Sequence, residues 1–201
     1  MEIFKFKSKY TGLPELFGLP AVGKTTFIAN QPQLININER SNHNFLIRYS
    51  QKIVSVVRIA ILNPKYFIRS IIFLKSFDMN LKDKLRLLVN LLRVVNEGHI
   101  KINNGISDQG LFQSLWSIGV YSHNSISDVE QKLTVFLEQN PNFLPKEITI
   151  ISDIMENNLS RETQRYGYLK TYYENNQMIN RSMSVETIII DIVSTLYIKV
   201  D

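Results

Sequence analysis

The chain has 201 residues, enough for one α/β domain with a sizeable core. Its 44% hydrophobic content is that of an ordinary globular protein and argues against disorder, and the absence of cysteine excludes a disulfide framework, a thiolate metal site and a cysteine nucleophile. The net charge of +5 is unevenly spread: residues 45–93 hold ten Lys and Arg against only Asp78 and Asp83, which is +8 and leaves −3 for the remainder.

The first ten residues, MEIFKFKSKY, lack the apolar centre and small-residue cleavage site of a secretory leader. No uncharged apolar run reaches the length of a membrane-spanning helix, so the expected compartment is the cytoplasm. Residues 13–17 (LPELF) predict a short strand weakened by Pro14, and residues 18–23 a loop. A helix is expected over residues 25–30, limited by Pro32, then a strand at 34–38 (LININ), where apolar and polar residues alternate.

The middle of the chain predicts three helices. The first covers residues 45–62, with Ile47, Ile53, Val54, Val57 and Ile61 near helical period. Asn63-Pro64 opens the second, which carries Phe67, Ile68, Ile71, Ile72 and Leu74. Asn80 caps the third, with a stripe of Leu81, Leu85, Leu88, Leu92 and Val95, and Gly98 marks its end.

A weak strand follows at residues 100–107, and a helix starts near Asp108. Ser127 with Glu130 predicts a capping box for a helix through Glu138. Residues 147–152 (EITIIS) form a clear strand, residues 153–173 a polar helical stretch, and Ser184 is expected to cap a last helix with Val185, Ile188, Ile189, Ile192, Val193 and Leu196 on one face. Strands alternating with helices point to a parallel sheet covered on both faces.

The chemistry concentrates at Gly18, Leu19, Pro20, Ala21, Val22, Gly23, Lys24, Thr25 and Thr26. Gly18-x-x-x-x-Gly23-Lys24-Thr25 satisfies the phosphate-binding pattern G-x-x-x-x-G-K-[ST]. Glycines let backbone N–H groups approach an oligophosphate, the following helix aims its N-terminus at the anion, the lysine reaches the β- and γ-phosphates, and the threonine hydroxyl can ligate Mg²⁺. His43, His99 and His123 lie far apart, so no zinc site is expected.

FGLPAVGKTT resembles the opening of P-loop nucleoside and nucleotide kinases, the thymidylate kinase-like and adenylate kinase-like group. Ala21 and Val22 stand where small residues are usual in that group. The resemblance implies a P-loop NTPase three-layer sandwich with a mainly parallel sheet. It implies one domain over residues 1–201, with a helical acceptor-side region at 41–97 and a small lid at 153–175. ATP and Mg²⁺ would be its cofactors.

By the same resemblance, Asp108 in Asp108-Gln109-Gly110 would hold Mg²⁺ with Thr25 or serve as base, although it could instead cap the following helix. Glu39, after LININ, would be a general base, with Arg40 beside it able to hold an acceptor phosphate. Arg161 and Arg165, four apart on one helical face, would be lid arginines acting with Lys24 on the transferring phosphoryl group; a surface pairing with Glu156 or Glu162 is the alternative. Tyr166, Tyr168, Tyr172 and Tyr173 could stack on a base or simply pack, and Trp116 is expected in the core.

The expected activity is transfer of the γ-phosphoryl group of ATP to a nucleoside, nucleotide or sugar. The alternative is a nucleotide-binding accessory or regulatory protein without phosphotransfer, for example in surface-polysaccharide assembly. The absence of an N-K-x-D run disfavours a guanine-specific GTPase. No nucleic-acid-binding signature accompanies the charge. The basic helices could meet an acidic acceptor, an acidic membrane or partner surface, or solvent.

Overall fold

A computed structural model describes residues 2–20, 22–37, 45–98, 104–152 and 176–200, without the side chains of 45–49 and 176–177. The fold is mixed α/β. Six strands are described: β1 (Glu2–Lys7), β2 (Glu15–Phe17), β3 (Ile35–Asn36), β4 (Gly105–Ile106), β5 (Glu147–Ser152) and β6 (Ile198–Val200). The helices are α1 (Lys24–Ala29), α2 (Phe45–Leu62), α3 (Pro64–Lys75), α4 (Leu81–Gly98), α5 (Leu111–Tyr121), α6 (Ile126–Glu138) and α7 (Asn176–Leu196), with a 3₁₀ turn at Pro141–Phe143.

β2, β5, β1 and β6 are neighbours in that order, and β3 pairs with β4. A single bridge between Glu15 and Ser107 joins the two sets. There Leu16 N–H donates to Ser107 O at 2.8 Å, and Ser107 N–H to Pro14 O at 2.9 Å. The lateral order is therefore β3-β4-β2-β5-β1-β6. The pairs β3–β4, β4–β2 and β2–β5 are parallel. β1 is antiparallel to both β5 and β6. The sheet is thus mixed, whereas the sequence suggested a mainly parallel one. The strand responsible is EIFKFK, which none of the sequence signals singled out.

Successive side chains of a strand leave on opposite faces. Phe17 and Ile150 join the main core with α2 to α7, while Leu16 and Ile151 join a second cluster with Val22, Ile28 and Ile106 against α1. Burial on both faces explains why β2 and the centre of β5 are wholly buried.

The helix boundaries in the middle of the chain follow the sequence, but the buried faces do so only in part: Leu74, Leu92 and Val95 are buried as expected. On α2, Ile53, Val54, Val57 and Ile61 are exposed, while Ser55 and Ile59 are buried. On α3, Ile68, Ile71 and Ile72 are exposed and Tyr66, Phe73 and Leu74 are buried. Phe73 stacks on Phe136 with ring centroids 4.1 Å apart, and Tyr66 meets Phe143 at 4.2 Å. The aromatic side chains bury more area than the isoleucines and so decide which side of α3 faces inward. On α4, Leu81 and Leu85 are exposed, whereas Leu87, Leu91, Leu92, Val94 and Val95 are buried.

Two caps also differ. Asn80 does cap α4, its Oδ1 accepting from Asp83 N–H at 2.8 Å. The α6 cap, however, is Ser125, whose Oγ accepts from Asp128 N–H at 3.2 Å. Ser127 lies inside the helix, which starts earlier than the capping-box spacing suggested. Ser184 likewise lies within α7, and its hydroxyl donates to Asn180 O at 2.9 Å, the usual outlet for a serine in mid-helix. Trp116 is buried as expected, its Nε1–H donating to Ser182 O at 3.1 Å.

Candidate functional site

The Gly18–Thr26 segment leaves the carboxyl end of β2. From there the chain passes through α1 to β3, beyond β4 on one side, while β5 lies on the other. In parallel α/β sheets such a reversal opens a crevice at the strand ends, the usual place for a ligand. Two glycines are required for local reasons. A Cβ on Gly18 would stand 2.3 Å from Ile151 O. Gly23 precedes α1 with φ 100° and ψ 20°, a left-handed conformation that side chains resist.

Lys24 is the first residue of α1, and its side chain turns back across the loop. Nζ donates to Gly18 O, to Leu19 O at 3.2 Å and to Gln113 Oε1 on α5 at 3.1 Å. All three ammonium protons are thereby used. Burial pushes the Lys24 ammonium down to about 8, against the opposing pull of Asp108, Glu186 and Glu15.

Two of these three acids carried no sequence signal. Glu15 is on β2 and only 2% exposed. Its carboxylate accepts from Phe112 N–H at 3.1 Å and Gln113 N–H at 3.0 Å, the free donors in the first turn of α5. Burial pushes Glu15 up to about 7 in spite of these hydrogen bonds and of Lys24. Glu186 is on α7, which Arg181 locks to α5 by donating from Nε to Gly119 O at 3.0 Å and from Nη2 to Ser122 Oγ at 2.9 Å. Burial raises the Glu186 carboxyl to about 7, and the Lys24 ammonium opposes that rise.

Asp108 follows the Ser107 bridge residue. It does not cap α5, because Glu15 takes that place. Its Oδ1 is buried and has no hydrogen-bond partner among the described residues. A buried carboxylate oxygen left unpaired calls for an outside partner. It fits Mg²⁺, a hard cation that prefers oxygen ligands and takes only one or two of them from protein beside a bound phosphate. The Thr25 side is exposed and can contribute its hydroxyl. Among the described residues no group of three or more His or acidic side chains is gathered for a metal.

The structure thus brings together Gly18, Leu19, Gly23, Lys24 and Asp108 of the expected site, and adds Glu15, Gln113 and Glu186. Pro20, Val22, Thr25 and Thr26 belong to the same loop and first turn. Ala21, Glu39, Arg40, Arg161, Arg165 and the tyrosines from Tyr166 to Tyr173 lie outside the described residues.

The unpredicted acids share one property: each reads as an ordinary solvated carboxylate when the sequence is taken locally. The only cue for Glu15 was a charge inside a three-residue apolar strand that must be covered on both faces. Chemically, the cluster sets three acids around one cation beside the Gly18–Thr26 loop. No family model, no curated protein and no solved structure matches the chain.

Proposed function

We propose that the chain binds Mg·ATP in the Gly18–Thr26 loop and transfers the γ-phosphoryl group to a small acceptor, a nucleoside, nucleotide or sugar. The observation that carries this is the arrangement of three groups. A lysine follows a left-handed glycine at the start of α1. The two close a loop that leaves β2 at the sheet's reversal point. A neighbouring aspartate has a buried oxygen with no hydrogen-bond partner among the described residues.

In this proposal Lys24 exchanges its carbonyl partners for β- and γ-phosphate oxygens, and the loop's N–H groups hold the rest of the chain of phosphates. Thr25 and, through water, Asp108 would hold Mg²⁺, which would neutralise negative charge on the phosphates. Glu39 or Asp108 takes the proton of the acceptor hydroxyl as its oxygen bonds to the γ-phosphorus and ADP departs. Arg161 and Arg165 would neutralise charge on the transferred group. The fold in this proposal is the three-layer P-loop sandwich, supported by the coverage of both sheet faces.

The test is phosphate transfer from γ-labelled ATP to a panel of nucleosides, nucleotides and sugars, with Lys24→Ala beside the native protein. Transfer to one acceptor class that disappears in the folded variant supports the proposal. A folded Lys24→Ala protein with full transfer activity contradicts it.

A second reading has one observation in its favour. The Lys24 ammonium is already saturated, its three protons going to Gly18 O, Leu19 O and Gln113 Oε1. An interior so well satisfied suits a protein that binds nucleotide as a signal and does not turn it over. Tight ATP binding with no transfer to any acceptor would favour this accessory role.

A further inference from the structure

Most of the apolar residues that the sequence set at helical period on α2 and α3 are on the outside. Ile53, Val57 and Ile61 recur every four residues on α2 and are 50%, 50% and 71% exposed; Val54 beside them is 62% exposed. On α3, Ile68 and Ile72 repeat the same spacing and are equally open. Both helices pack on α4 and on each other, so these stripes lie on the sides left over. Scattered exposed apolar residues are ordinary, but a run along two consecutive helices is a patch that marks a contact surface.

The charge around the patch limits what can cover it. From Phe45 to Phe77 the chain holds six basic residues and no acid. Arg58, Lys65 and Lys75 are exposed and have no acidic partner among the described residues. Arg58 falls between Val54 and Ile61, and Lys65 and Lys75 bracket Ile68 and Ile72, so cations and apolar groups alternate over the same surface. A second copy of the chain would bring an equally basic face and be repelled. Nucleic acid would satisfy the cations but leave the isoleucines and valines without a role. No helix among the described residues is long and apolar enough to cross a membrane.

We propose that the α2–α3 face docks peripherally on an anionic phospholipid bilayer. The isoleucine and valine side chains enter the boundary between headgroups and acyl chains, and the basic side chains reach back to the lipid phosphates. Neither signal suffices alone for stable binding. Their combination makes attachment reversible, dependent on lipid charge and sensitive to salt. It would hold the phosphate-binding loop of this protein close to a membrane surface without committing any of its residues.

The experiment is co-sedimentation of the full chain with vesicles of phosphatidylglycerol and phosphatidylcholine, against vesicles of phosphatidylcholine alone. The protein should sediment with the mixed vesicles, remain largely free with the neutral ones, and be released by added salt. Val57→Asp combined with Ile61→Asp should lower the partition coefficient by at least about tenfold. Lys65→Ala should lower it by about fivefold. Both variants alter exposed positions, and circular dichroism should show the native fold. Failure of the native protein to sediment with anionic vesicles would overturn the proposal, as would sedimentation unchanged by either variant. Concentration-dependent dimerisation abolished by Val57→Asp/Ile61→Asp would also overturn it, giving the face to a second copy.

Discussion

Gly110 precedes α5 with φ −84° and ψ −160°, angles that any residue can adopt. Its lack of a side chain matters for a different reason. A Cβ there would lie 2.3 Å from Glu15 Cδ and 2.5 Å from Glu15 Cγ and Oε2. Glu15 is nearly inaccessible, so it cannot swing into solvent. To restore ordinary contact it must withdraw by roughly 1 Å, which lengthens its bonds to Phe112 and Gln113 N–H beyond hydrogen-bonding range. A hydrogen bond to a charged group contributes about 1.5–3 kcal/mol. Gly110→Ala should therefore destabilise the protein by about 3–5 kcal/mol, or lower Tm by roughly 10 °C.

Urea unfolding followed by circular dichroism measures the cost, and a double-mutant cycle identifies its cause. Glu15→Ala alone is also destabilising, because it leaves the first turn of α5 without acceptors. In that background, however, nothing remains for the new methyl group to strike, so Gly110→Ala should cost less than about 1 kcal/mol. An equal cost for Gly110→Ala in both backgrounds would refute this account of Glu15 and Gly110.

Glu15 and Glu186 are both raised to about 7 from an ordinary value of 4.5. The folded protein therefore holds protons that the unfolded chain releases, and stability is full below pH 4.5 and is lost as pH rises through about 7. For Glu15 alone the difference is on the order of 3 kcal/mol, so Tm should fall between pH 5 and pH 7.5 and the slope should flatten in Glu15→Gln; a Tm rising over that range would contradict it. Ser125→Ala should cost about 1 kcal/mol in urea unfolding, with Ser127→Ala costing a few tenths, because only Ser125 caps α6. Glu186→Gln removes a carboxylate whose charge competes with phosphate for Lys24, so it should tighten ATP binding by roughly tenfold in calorimetry; weakened binding would place Glu186 among the groups that assist the nucleotide.

The elements legible in the sequence were those whose signals are local. EITIIS, the Asn63-Pro64 junction, the Asn80 cap and the Gly98 terminus all stand within a few residues of the structure they specify. β1 was not legible, because its partners in residues 147–152 are 140 or more positions away and its two lysines made EIFKFK read as a polar terminus. Helix faces failed for a different reason. α2 is aliphatic on several sides, so hydrophobicity alone could not show that Ser55 and Ile59, not Val54 and Ile61, turn inward. The Gly18–Thr26 pattern could be picked out because its glycines and lysine stand at a fixed local spacing. Its acidic surroundings were not, because Glu15, Asp108 and Glu186 converge from two strand ends and a distant helix.

The central claim is that Gly18–Thr26 binds a magnesium nucleotide through Lys24. Isothermal titration of the full chain with ATP and with GTP, each with and without Mg²⁺, beside a Lys24→Ala variant of verified fold, tests it most directly. The account predicts Mg²⁺-dependent binding of ATP that disappears in Lys24→Ala. Absence of binding by either nucleotide, or binding that survives the substitution unchanged, would contradict it.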